Sequence, residues 1–145
     1  MLSKGYLYVD KTEIIHSLIT RGRFYFLARP RRFGKSLLIS TLKEIFSGNK
    51  ELLKDLWIGK SDYDWISYPV IHLDFSALDM YSDLALEKSL CVELDRRALL
   101  YSIDLSQFTT AGAKLTTLVQ ALALKNPVVI LIDEYDSPLI SNLDN

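Results

Sequence analysis

The sequence predicts an α/β fold built on a parallel sheet, and three observations predict it. Strand-like apolar runs alternate with segments of helical period. The last run, "VVILID" at residues 128–133, is apolar up to its final aspartate, as strands are when both faces of a parallel sheet are covered. The composition is 49% hydrophobic and 24% charged, which favours a packed core over disorder. With 145 residues there is material for one compact domain and not comfortably for two.

The elements follow in order. Asp10 is placed to cap a first helix, with Glu13 three residues on as in a capping box. Ile14, Ile15, Leu18 and Ile19 make the apolar face of that helix, and Gly22 ends it. "RFYFLA", residues 23–28, is short and aromatic-rich and reads as a strand. A turn over 29–34 leads into a helix from Lys35, with Leu38, Leu42 and Ile45 in line and Gly48 as its stop. "NKELLKDLW" holds a short helix, and "IGKSDYDWISYP" is a loop. Its neighbourhood of Trp57, Tyr63, Trp65 and Tyr68 is expected to pack against the body of the domain rather than to stack on a base or ligand. "PVIHLDFS", residues 69–76, is a second strand. A helix runs from Ser82 to about Ile103 with Leu86, Leu90 and Leu94 on one face. Another begins at Thr110 or Ala111, turns Leu115, Leu118, Val119 and Leu122 inward, and stops at Asn126 and Pro127. The sequence shows no internal repeat, low-complexity tract or linker.

Bulk properties exclude several roles. A formal net charge of -1 gives no reason to expect a nucleic-acid or membrane surface. The longest apolar run is far too short to span a bilayer, and the start, "MLSKGYLYVDK", is too polar for a signal peptide. The single cysteine, Cys91, excludes an internal disulfide framework and fits a reducing cytoplasm, the expected location.

Two segments carry chemistry. The first is the turn between the strand at 23–28 and the helix at Lys35. A phosphate loop needs a delivering strand, a turn whose backbone N–H groups face an anion, and a helix N-terminus with its partial positive charge. It also needs a lysine for the terminal phosphates and a hydroxyl for Mg²⁺. Lys35 and Ser36 supply these, and Gly34 lets the backbone approach a phosphate without a Cβ. The pattern G-x-x-x-x-G-K-[ST] asks for glycine at position 29, where this chain has Arg29 followed by Pro30. The second segment is "VVILIDEYD", an apolar strand ending in Asp-Glu. Asp133 at the strand end is suited to Mg²⁺ through water, and Glu134 to polarising an attacking water. Ligands bind at the carboxyl ends of parallel strands. The glutamate after the aspartate, and the strand between the two motifs, favour hydrolysis over phosphate transfer to a small acceptor.

The segments "YLYVDKTEII", "YFLARPRRFGKSLLISTLKEIF", "YPVIHLDFS" and "VVILIDEYDSPLI" resemble the bacterial AAA-ATPase-like family, in the expected order and from Gly5 to Ile140. The resemblance implies an ASCE/AAA-type P-loop NTPase, a three-layer sandwich that binds ATP and Mg²⁺. It implies that Arg29, Pro30, Arg31, Arg32, Phe33, Gly34, Lys35, Ser36 and Leu37 form the Walker A site, with Arg29 as this family's own variant of it. Lys35 and Glu134 take the catalytic roles, and Ser36 and Asp133 the metal. Larger members carry a C-terminal PD-(D/E)XK nuclease-like domain and are several times longer. Residues 1–145 are therefore expected to be the N-terminal part of the domain, through Walker B, as a truncated reading frame or a partial gene model. The sensor strand, which lies between the Walker A and Walker B strands in the related fold, would be missing, along with arginine finger, lid and nuclease-like domain. Such a sheet is incomplete, with exposed edges, and the piece alone is expected to be inactive.

Three functions stay open. One is an ATPase in its full-length form. A second is a nucleotide-dependent switch with little turnover that gates a nuclease-like domain or a partner. A third is an inactive remnant. Rings are a common habit of AAA proteins, so a homo-oligomer is allowed, though no residue specifies one. Arg29, Arg31 and Arg32 either touch an anion, a neighbouring subunit or nucleic acid, or are solvated or paired with acids such as Glu134 or Asp136. A dedicated nucleic-acid surface is not indicated. Asp74 has a capping reading and a Mg²⁺-water reading, the first favoured. His16, His72 and Cys91 read as structural. Residues 6–11 have a weaker reading as a border of the adenine pocket.

Overall fold

The computed structural model describes residues 9–21 and 35–133, with the side chains of Lys35 and Ser36 outside the description. The expected strand at 23–28, the turn at 29–34 and everything from Glu134 onward lie outside the described residues. The chain divides into two compact units, residues 1–67 and residues 68–145.

The first unit is helical where described: α1 (Thr12–Arg21), α2 (Lys35–Phe46), α3 (Lys50–Leu53) and α4 (Trp57–Lys60). Its core is Ile15, Ile45, Leu53, Leu56 and Ile58, with Ile19, Leu38 and Leu42 packed against them. The alignment of Leu38, Leu42 and Ile45 on one face of α2 is thus observed. The broad apolar face expected of α1 is not: Ile15 and Ile19 face the core, whereas Ile14 is 64% and Leu18 40% exposed. One helix lying over one small cluster buries only a narrow stripe.

α2 ends as its glycine predicts. Gly48 N donates to Ile45 O at 3.1 Å and Asn49 N to Glu44 O at 3.1 Å, with Gly48 at φ 78°. This is a Schellman closure, and the left-handed residue it demands is the reason for glycine. α4 corrects the loop expected from Ile58 onward. A second glycine permits it: a Cβ on Gly59 would stand 2.2 Å from the Leu53 carbonyl oxygen. Tyr63 and Trp65 pack against the core and meet edge to face at 5.2 Å, as expected of these rings. Trp57 stays 40% exposed and leans on His16.

The second unit contains β1 (Val70–Asp74), a single 3-10 turn (Phe75–Ala77), α5 (Asp83–Leu99), α6 (Ala111–Leu122) and β2 (Val129–Asp133). β1 and β2 pair in parallel, from Val70 opposite Val129 to Asp74 opposite Asp133. Parallel pairing requires a crossover, and the α5–α6 pair supplies it. Ile71 and Leu73, two apart on β1, join Leu94 and Ala98 of α5 and Ala111 and Leu118 of α6 in one core.

Caps set both helices. The Ser82 hydroxyl accepts from Ala85 N, and the Thr110 hydroxyl from Ala113 N. α5 stops at Leu99 rather than near Ile103. Ser102 N donates to Leu99 O and Ile103 N to Ala98 O, with Ser102 at φ 56°. A serine thus takes the left-handed closing position that glycine usually fills. Burial along β2 also differs from expectation. Leu131 and Asp133 are buried, while Ile130 and Ile132 are 42% and 43% exposed, so the apolar run is covered more fully on one side. The mixed helix and strand content with its parallel pair is compatible with an α/β fold. Among the described residues no helix is long and apolar enough to cross a membrane.

Candidate functional site

Lys35, Ser36 and Leu37 form the head of α2, in the first unit. No acidic residue occupies the first turn of that helix, so its positive end is not neutralised from within. The Thr41 hydroxyl donates to Leu37 O at 2.8 Å, a bond within the helix that leaves the earlier N–H groups at its start untouched. Arg29, Pro30, Arg31, Arg32, Phe33 and Gly34 precede this turn and lie outside the described residues.

Asp133 ends β2 in the second unit and is 5% exposed. The parallel register sets Asp74 opposite it, so both strands finish on an aspartate at their carboxyl ends. The two carboxylates have different surroundings. Asp74 Oδ1 accepts from Ser76 N at 2.9 Å and from Ser76 Oγ at 2.6 Å, capping the 3-10 turn. Its capping reading therefore holds. Glu134 follows Asp133 and lies outside the described residues.

A hydroxyl and a carboxylate are hard oxygen donors, which suits Mg²⁺ rather than a softer metal. Among the described residues no three His, Cys, Asp or Glu side chains group as a metal cage. Mg²⁺ in nucleotide sites is held by one or two protein oxygens, with water and phosphate completing the shell, so a full cage of protein ligands is not required of such a site.

The remaining candidates have structural surroundings. The His16 ring sits 5.3 Å from Trp57 and 6.1 Å, edge-on, from Tyr63. Cys91 is half-buried and donates to Thr109 O at 3.7 Å. Burial, with the charge of Glu87, pushes its thiol up, so it stays protonated and poorly nucleophilic near neutrality.

Sequence reasoning missed two polar centres. The Thr12 hydroxyl donates to Asp10 Oδ1 at 2.6 Å and accepts from Ile58 N at 3.1 Å, while Asp10 Oδ2 accepts from Trp57 N at 2.7 Å. Asp10 therefore caps two helices, of which the capping-box spacing revealed only one. Burial raises its carboxyl, but hydrogen bonds from Thr12 and Trp57 and the charge of Lys60 outweigh this and leave it below its ordinary 3.8. The second centre is Lys114, buried on α6 and bonded to Asp95 at 2.6 Å and to Leu105 O at 3.1 Å. Helical period would have flagged it as a core position, since it lies one turn before Leu118.

One comparison with known proteins names a family. The family model described as "Predicted AAA-ATPase" matches residues 1–145, the whole chain. A protein of Azotobacter chroococcum mcd 1, described as an uncharacterized protein in the vnfD 5′ region, is 37% identical over 140 residues. That match covers 95% of this chain and 27% of the relative, so the chain spans about a quarter of the relative's length. No solved structure matches. With a helix opened by Lys-Ser and a parallel strand closed by a buried aspartate, and with the family model matched from end to end, the chain belongs to the AAA-ATPase-like family.

Proposed function

We propose that the chain is the N-terminal part of a P-loop nucleotide-binding domain, and that the full-length protein binds ATP with Mg²⁺ and hydrolyses it. The observation that carries this reading is β2. A parallel strand ends on a buried aspartate, as a strand delivering a carboxylate to a phosphate-bound cation should. The head of α2 agrees with it, since a helix opening on Lys35-Ser36 with no acid in its first turn favours an anion.

In this reading Arg29 to Leu37 surround the phosphates, and Lys35 neutralises the β- and γ-phosphates. Ser36 and Asp133 hold Mg²⁺, which when bound draws charge off the transferring phosphate. Glu134 orients the attacking water and takes up its proton. A nuclease-like C-terminal domain is the natural recipient of any conformational signal from this site.

The test is ATP binding and phosphate release by the full-length protein, beside Lys35→Ala and Glu134→Gln. Loss of a charge-assisted contact predicts weaker binding in Lys35→Ala by roughly tenfold to a hundredfold. Glu134→Gln should bind normally and release phosphate far more slowly. A full-length protein that binds no ATP refutes the proposal. Binding with a release rate indifferent to Glu134→Gln removes the water-orienting role and leaves a nucleotide-dependent switch.

A further inference from the structure

We infer that the outer stripe of α5 is an interface between two copies of the protein, packed antiparallel about a two-fold axis near Val92. The inner side of α5 is committed to the core, where Leu94 and Ala98 are buried. The outer side is apolar as well. Leu84 is 64%, Val92 58% and Leu99 73% exposed, and their positions in the sequence keep them along one side of the helix. A helix with apolar residues on both sides is ordinarily covered on both.

The charges on the stripe point to what covers it. Lys88 is exposed and makes no ion pair or hydrogen bond among the described residues. Asp95 Oδ1 accepts from Lys114, but its side chain is 45% exposed and its Oδ2 takes no donor among the described residues. Lys88 and Asp95 are one heptad apart, so they lie on the same edge of the stripe. In an antiparallel pair about a two-fold axis, residues equally far before and after the axis meet, and each edge of the stripe meets its own equivalent. With the axis close to Val92, Leu84 falls opposite Leu99 of the second copy, Val92 lies beside Val92, and Lys88 faces Asp95, twice by symmetry. Arg96 lies on the other edge and is held by Glu93 at 3.1 Å, so it brings no unpaired cation against Lys88. The stripe is therefore its own complement in both apolar residues and charge, a property that a two-fold interface requires and an unrelated partner does not. The inference uses α5 alone and does not rest on the nucleotide reading.

The test is self-association of the full-length protein, measured by analytical ultracentrifugation beside variants at exposed positions. One helix pair is a small interface, so a dimer with a micromolar dissociation constant is expected. Val92→Asp sets two carboxylates together across the axis and should leave only monomer. Lys88→Glu turns two attractions into two repulsions and should weaken the dimer about tenfold, with the circular dichroism spectrum unchanged. In a Cys91→Ala background, Val92→Cys should cross-link two copies in oxidised glutathione, whereas Leu124→Cys, 85% exposed beyond the end of α6, should not. If Val92→Asp does not fold, Lys88→Glu and the cross-link decide. A wild type that stays monomeric well above the micromolar range overturns the inference. So does a dimer that Val92→Asp or Lys88→Glu leaves as tight as before, or a cross-link that forms at residue 124 and not at 92.

Discussion

Replacing Asp95 by alanine should cost more stability than replacing its partner Lys114 by methionine, although each change breaks the same contact. The ammonium lies 2.6 Å from Asp95 Oδ1, with the lysine side chain 6% and the aspartate side chain 45% exposed. In Asp95→Ala the buried charge keeps one acceptor, the Leu105 carbonyl at 3.1 Å. Stranding a buried charge costs about 3–5 kcal/mol, and the remaining carbonyl puts this case near the lower end, about 3 kcal/mol. In Lys114→Met the charge is gone, the half-exposed carboxylate turns to water, and the thioether fills most of the vacated volume. What remains is an unsatisfied carbonyl, about 1 kcal/mol. The difference of about 2 kcal/mol is measurable by urea denaturation followed by circular dichroism. At about 1–3 kcal/mol per molar it separates the two midpoints by about 1 M. The double variant should unfold close to Lys114→Met. If Lys114→Met is as destabilising as Asp95→Ala, the pair contributes by attraction, and the view that Asp95 compensates a buried lysine is wrong.

Three further outcomes are expected. Gly59→Ala should destabilise by about 3 kcal/mol in thermal melts, because the new Cβ meets backbone at 2.2–2.7 Å; helix propensity alone predicts the opposite sign, a gain of about 1 kcal/mol. Ser102→Gly should stabilise by up to about 1 kcal/mol and Ser102→Val should destabilise, since the position holds φ 56°; equal denaturation midpoints for the two variants would remove the left-handed closure as an explanation. Asp10 has a folded carboxyl below its ordinary 3.8, so its contribution is present above about pH 4 and lost as pH falls through the folded value. Asp10→Asn should therefore lower the melting temperature at neutral pH and converge with the wild type in acid, and a gap that does not narrow as the pH falls below 3.8 would contradict this.

The chemistry-bearing residues were legible in the sequence as far as their local frames. Lys35 does open a helix, and Asp133 does end a strand. Those features depend on short-range pattern: a change of period at Lys35 and an apolar run stopped by a charge. Asp74 was legible in the same way, because its partner Ser76 is two residues away. The double role of Asp10 was not, since Trp57 and Ile58 lie far along the chain and carry nothing that marks them as donors to a particular carboxylate. Lys114 shows the same limit. Its spacing from Leu118 marks an inward position, but its type argues for the surface, and only Asp95 on the neighbouring helix reconciles the two.

Local pattern along the chain sets where most of the described helices and strands lie, how α2 closes at Gly48, and the expectation of an α/β arrangement with a parallel pair, because propensities, caps and periodicity act within a few residues. Tertiary structure decided which partners those elements take. It placed β1 beside β2 with Asp74 opposite Asp133, buried Lys114 against Asp95, allowed α4 to approach α3 at Gly59, and closed Asp10 and Thr12 onto α4. Each of these depends on contacts between residues distant in the chain, whose free energy is gained only after the intervening segments have folded and closed the loop.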